Sequence, residues 1–399
     1  MKRIIALILI CFILTSCAKA NSEPEYTESA DNISDNANYA TGGVWLSFSE
    51  LKNMLLSENG FEKEVTAVAD NCKKLRLENI YIHVRSHCDS IFKSDFFPLT
   101  EAAARYDYDI FEYMINIFHS NGIKVHAWIN PYRVSTATSD ITQLRADSPV
   151  HKWLNDDITE NDKNICIYNG IYLNPAEEDI RRLVIDGIRE IATKYPVDGI
   201  HFDDYFYPTT DASFDSASYE EYTKATKKPL SLSEWRKNNV NLLISGCYSA
   251  IKYINEDITF SISPAASIEN NLTELYADVE HWVKNGYVDC IIPQLYFGFE
   301  YPLKDFRFEK LLKDWKKLMS CNSDVELLIG LASYKIGTDA SADSEEWQNK
   351  TDIIARQVEL CFKDGHVNGY VLFSYSSVVS DNPLNLQQRE NLLKFNEGV

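Results

Sequence analysis

Positive charge is in short supply in this chain. Against 59 Asp and Glu it carries 39 Lys and Arg, a formal net charge of −20. A surface this acidic repels polyanions, which excludes nucleic acid as a general electrostatic partner. A neutral substrate, or one held in a local cationic pocket, fits better. Long apolar runs are also missing: the candidate at Ile4–Leu14 is too short to span a bilayer. No Cys-x-x-Cys pair or Cys/His cluster has zinc-ligand spacing, so no metal and no cofactor is expected. Nor is there an internal repeat that would point to a solenoid.

What stands at the N-terminus is more informative. Met1-Lys2-Arg3 is a short basic region, Ile4–Leu14 is an apolar stretch of signal-peptide length, and Leu14-Thr15-Ser16-Cys17 follows. That ending resembles the bacterial lipobox, which implies cleavage before Cys17 and diacylglycerol on its sulfur. The expected product is an extracytoplasmic lipoprotein, held at the cell membrane through Cys17 alone by at least two acyl chains. Residues 1–16 are the expected signal peptide. Residues 17–40, polar and acidic, are the expected flexible tether. Beyond Cys11 and Cys17 seven cysteines remain, an odd number, and buried free thiols are expected of them.

From residue 41 to 399 short apolar runs alternate with amphipathic stretches. The predicted strands are Gly43–Phe48, Ile80–Arg85, Lys124–Ile129, Gly199–Asp204, Thr259–Ser263, Asp289–Pro293, Leu327–Leu331 and Tyr370–Phe373. The predicted helices are Phe61–Arg76, Ile110–Asn121, Glu177–Lys194, Ser233–Asn255, Leu272–Asn285, Phe306–Met319, Thr351–Lys363 and Asn385–Phe395. Eight strand–helix units predict an α/β fold of the (β/α)8 TIM-barrel class. Connections leaving the strand ends are long, at 130–176, 205–232, 264–271 and 332–350. The active site of such a barrel lies on that face.

The polar tips of the strands cluster there. The fourth strand ends in Asp203-Asp204, and adjacent carboxylates after an apolar strand are costly unless they are used or paired. Strand alternation sets His201, Asp203 and Tyr205 on the inner side and Asp204 on the other. The second strand brings His83, Arg85 and His87 in phase, followed by Asp89. Around the same rim the sequence places Trp128, Asn130, Tyr132 and Arg133, then Gln294 and Tyr296, then Lys335 and Tyr375. Amides and cations bond sugar hydroxyls, and aromatic faces cover the apolar side of a pyranose. This mixture is that of a saccharide-binding cleft.

Several of these blocks, in this order, resemble the bacterial glycosyl-hydrolase-like family 10. They are Gly43-Val44-Trp45-Leu46, Val84-Arg85 with Asp89, and His126 to Arg133. Leu173-Asn174-Pro175, Asp198 to Tyr205, Ser261-Ile262-Ser263-Pro264, Pro293-Gln294-Leu295-Tyr296 and Ser374-Tyr375-Ser376 complete the match. The resemblance implies a TIM barrel with glycosidase activity; some members act on bacterial cell-wall glycan, including strands stripped of peptide. Chitinase-like barrels carry a similar fourth strand, but His201 and Tyr205 stand where that pattern has an Asp and its acid Glu. At the seventh strand end, where the largest retaining clan keeps a nucleophilic Glu, this chain has Ala332-Ser333-Tyr334-Lys335.

Glycoside hydrolysis needs an acid for the leaving oxygen and a second group at the anomeric carbon. Asp203 is the expected catalytic carboxylate, with Arg85 and His201 tuning its proton. Asp204, Asp89 and Glu269 are candidate partners. With a 2-acetamido sugar the substrate itself supplies the nucleophile, and one acid with Tyr205, Gln294 and Asn130 suffices. Two other readings stay open. One is a metal-dependent hydrolase or deacetylase using His83, His126 and His201 with Asp203, although the strand-1 His-x-His of amidohydrolase barrels is absent. The other is a lipoprotein that binds glycan without cutting it.

Overall fold

The computed structural model describes residues 41–339, 341–363 and 365–398. The expected signal peptide, tether and lipidation residue Cys17 lie outside the described residues. Eight strands form the barrel: β1 (Thr41–Leu46), β2 (Leu77–Arg85), β3 (Lys124–Ile129), β4 (Gly199–Phe202), β5 (Thr259–Ile262), β6 (Cys290–Ile291), β7 (Glu326–Leu331) and β8 (Gly369–Leu372). All neighbours are parallel and consecutive, and β1 closes on β8 with Thr41 opposite Gly369 and Val44 opposite Leu372. The sequence predicts this (β/α)8 barrel. A helix crosses between each pair of consecutive strands, as parallel pairing requires.

Alternation divides the side chains between two cores. Trp45, Tyr81, Trp128, Cys290, Ile292, Leu328 and Val371 fill the barrel. Val44, Leu46, Ile80, Ile82, Ile129, Phe202 and Phe260 face outward under the helices. Two glycines make room for large inner rings. A Cβ on Gly199 would sit 2.1 Å from Nδ1 of His126, and one on Gly330 would sit 3.0 Å from Cη2 of Trp45. The helices hold by apolar stripes of helical spacing, such as Phe308, Leu311, Leu312, Trp315 and Met319 on the helix Phe308–Met319. Asp109 caps the helix Ile110–Ser120 by accepting from the N–H groups of Phe111 and Glu112.

Several elements differ from the sequence-based expectation. The helix expected over Leu272–Asn285 is two, Ile268–Thr273 and Val279–Lys284. Tyr276 between them has φ 55°, and the Ala277 N–H bonds back to the carbonyl of Asn271, which ends the first helix. β6 keeps only two residues in the ladder, because Pro293 just beyond it has no N–H to give. The long 130–176 connection folds a small antiparallel sheet from Arg133–Ser135, Ile165–Ile167 and Ile171–Leu173. A helix, Phe48–Leu55, follows β1 directly. Its capping box joins Ser47 and Glu50, a Ser-x-x-Glu signal present in the sequence. The seven described cysteines are all free, Cys88 and Cys166 included, and only Cys321 is exposed.

Candidate active site

A cleft of about 570 Å3 opens at the C-terminal ends of the strands, and all eight strand ends contribute to its wall. Its centre is the pair Asp203 and Asp204. β4 stops at Phe202, so the inward–outward alternation expected for these two lapses, and both line the cleft. The two carboxylates have unequal surroundings. Asp203 accepts from Asn130 Nδ2 at 2.9 Å, from Trp128 Nε1 at 3.1 Å and from the Tyr205 N–H at 3.3 Å. Asp204 accepts one side-chain bond, from Gln294 Nε2 at 3.0 Å. Burial raises the pKa of Asp203, offset by the Arg133 cation and those three donors. Burial and the neighbouring Asp203 charge push Asp204 up to about 7. Both carboxyls are thus raised, but Asp203 has three donors to its charged form where Asp204 has one side-chain donor.

The walls are built around this pair. Asn130, buried beneath the cleft, accepts from the N–H groups of Tyr132 and Arg133 through Oδ1, so its Nδ2 is aimed at Asp203. The Arg133 guanidinium lies 4.3 Å over the Tyr205 ring, and Tyr205 is 57% exposed at the rim. Gln294 is fixed by a second bond, to the Ser263 carbonyl at 2.9 Å. Tyr296 stacks on Phe373 with 5.8 Å between centroids, and Tyr334 meets both edge-on. Glu50 closes the side between β1 and β8. Its carboxylate takes the Ser47 N–H and hydroxyl, the Ser374 hydroxyl and the Ser376 N–H, all at 2.6–2.8 Å.

A family model described as glycosyl hydrolase-like 10 matches residues 41–349. The chain belongs to that family. Glycosyl hydrolase YngK of Bacillus subtilis is 29% identical over 83% of this chain, which covers 66% of that protein's length. Glycosyl hydrolase DigH of Escherichia coli K12 is 25% identical, with 93% of this chain and 92% of that protein aligned. Among solved structures, the PgaB (BpsB) glycoside hydrolase domain from Bordetella bronchiseptica superposes with a TM-score of 0.60 at 14% identity, covering 88% of this chain and 98% of that one. The β-amylase catalytic domain from Paenibacillus polymyxa gives 0.58 at 9% identity, covering 90% and 99%. These two likenesses concern the fold.

In this glycosyl hydrolase-like 10 member, Trp128, Arg133, Asp203, Asp204, Tyr205, Gln294 and Tyr296 line the cleft as the sequence predicts. Other expected residues lie elsewhere. Arg85 is turned out of the barrel by a register shift between His83 and Arg85 on β2. Its guanidinium sits 4.2 Å over Phe97, near Gly187 on the helix Glu178–Lys194, and does not reach Asp203. Asp89 faces the Arg145 and Arg85 charges, and burial pushes it up to about 6, away from the cleft. Tyr132 is buried in the outer core. Lys335 points inward, to the Tyr296 carbonyl at 2.6 Å and Asp343 at 3.6 Å. The Tyr375 hydroxyl accepts from Asn71, leaving Ser374 and Ser376 to line the cleft. Glu269 is exposed on its own short helix.

His201 lies below the cleft, fully buried. The Trp45 indole donates to its Nε2 at 3.1 Å, so its Nδ1 carries the proton and donates to Ser261 Oγ at 2.9 Å. The ring is neutral and tunes Asp203 through no direct bond. His126 bonds Asn79 and stacks on Tyr81. His83 stacks on Trp128 instead. The three histidines occupy different places along the barrel, and among the described residues no three His, Cys, Asp or Glu side chains group as a metal-ligand set. The ligand constellation of the metal-dependent reading is not assembled. Sequence reasoning passed over Glu50, Phe48 and Phe373 as cleft residues, while Ser263 and Tyr334 lie in strand-end stretches that it did single out. Of the three, Glu50 carried a signal, the capping pattern after β1.

Proposed function

We propose that this protein hydrolyses glycosidic bonds in a polysaccharide, with Asp204 as the general acid and Asp203 as its ionised partner. The observation that carries the reading is the unequal donor count on two adjacent cleft carboxylates. Asp204, held up to about 7, protonates the leaving glycosidic oxygen. Asp203 stays ionised beside the anomeric centre, where positive charge develops.

The substrate we infer is a 2-acetamido glycan of the bacterial cell wall. Consecutive residues are only about 3.8 Å apart at Cα, which does not favour carboxylates on opposite faces of one sugar ring. The third cleft carboxylate, Glu50, is already occupied by backbone and serine donors. A 2-acetamido group supplies the nucleophile from the substrate itself, and Asp203 then accepts its N–H. The lipid anchor inferred at Cys17 would hold the cleft at the outer face of the membrane, beside that polymer.

The test is incubation of the purified protein with peptide-free glycan strands and with chitohexaose, read by mass spectrometry. Release of shorter oligosaccharides, lost in Asp204→Asn, is the expected result. Tight binding with no release would instead favour the non-catalytic glycan-binding reading, to which the missing carboxylate at the end of β7 lends support.

A further inference from the structure

One polar side chain in the cleft wall takes no part in the acid–base arrangement. His83 is 2% exposed, and neither ring nitrogen has a hydrogen-bond partner. The other two histidines inside the barrel are tied: His201 at both nitrogens and His126 through Nε2. Trp128 covers one face of the His83 ring, nearly parallel at 10° and 3.7 Å between centroids. It has no donor to spare, since its single N–H goes to Asp203. Phe48 stands edge-on to the imidazole at 5.8 Å and is itself 42% exposed.

A neutral imidazole offers one donor and one acceptor. Leaving both buried and empty destabilises the fold, and a phenylalanine would make the same stack without that cost. Histidine at this position is explained by a partner that arrives with the ligand. We propose that His83 is a specificity-determining residue that bonds a sugar group able both to donate and to accept, such as a ring hydroxyl, with Phe48 swinging off its edge to admit it. Because Trp128 touches both Asp203 and His83, that group belongs to the sugar seated at the carboxylates. Burial, with Arg133 and His87 nearby, holds the ring neutral, as this dual role requires. The inference rests on the glycosidase reading above.

The experiment compares Asp204→Asn with Asp204→Asn/His83→Phe, using calorimetry with chitohexaose and a thermal melt of each protein. Wild-type hydrolysis of the same oligosaccharide is followed alongside. The expected result is about tenfold weaker binding with His83→Phe, at an unchanged or raised melting temperature. His83→Gln should recover part of the affinity. Equal affinity in the two proteins overturns the proposal while leaving hydrolysis intact. A lowered melting temperature with unchanged affinity marks His83 as structural and also overturns it. A parent that binds no chitohexaose sinks the glycan reading and this inference together.

Discussion

The indole N–H of Trp128 points at Oδ2 of Asp203 across 3.1 Å, while the face of the same ring lies on His83. One side chain thus donates to the Asp203 carboxyl and shapes the adjoining wall. Trp128→Phe keeps an aromatic ring and deletes the donor. Asp203, which burial already raises, then loses one of three bonds to its charged form and rises further. The acid limb of the kcat/KM–pH profile should move up by roughly half to one unit, with kcat down about tenfold. An unmoved limb would remove Asp203 from the profile.

Asp204→Asn removes the proposed acid without changing shape. We expect kcat to fall by about 10²–10⁴, and the alkaline limb near pH 7 to disappear. The stability effect has a definite sign. A carboxyl raised from 3.8 to about 7 holds a proton in the folded state that the unfolded chain has lost, so stability declines as pH climbs from about 4 through 7. The variant escapes that decline. It should melt higher than the wild type at pH 8 and close to it at pH 4, by calorimetry at both pH values.

Arg236 and Asp215 meet at 2.6 Å with both side chains fully buried, and the guanidinium also donates to Tyr276 Oη and the Asp211 carbonyl. Asp215→Ala strands that cation. Breaking a buried pair from one side costs about 3–5 kcal/mol, visible as a lower urea midpoint. The pair anchors the segment 205–232, whose first residue is Tyr205 at the cleft rim. KM should therefore rise together with the loss of stability.

The lipid anchor proposed at Cys17 is tested by substitution. Cys17→Ser should leave the protein without incorporated palmitate and move it from the membrane fraction to the soluble one. Continued labelling of the variant would place the acyl chains on another residue.

Much of this protein was legible in its residues, and the illegible part has a physical pattern. Strand and helix signals are periodic and local, so β1 to β8 appear in the sequence within a few residues of their observed bounds. Asp203 and Asp204 were visible as polar groups ending an apolar run. Arg85 was misplaced because a bulge on β2 reverses the alternation after His83, and nothing in the local pattern marks it. Lys335 and Tyr375 were misplaced because their partners, the Tyr296 carbonyl and Asn71, come from other parts of the chain. Glu50 announced a helix cap, but its second task, gripping Ser374 and Ser376, needs β8 beside β1.

The amino-acid sequence alone determined the barrel, the face that carries chemistry and the acidic pair at its centre, since each follows from hydrophobic alternation and short-range spacing. Only the tertiary structure decided which carboxylate gathers more donors. The side-chain donors on Asp203 come from positions 73 and 75 residues away, and the side-chain donor on Asp204 from 90 residues away. Burial raises both acids, and closure of the eight strands gives one of them more hydrogen bonds than the other.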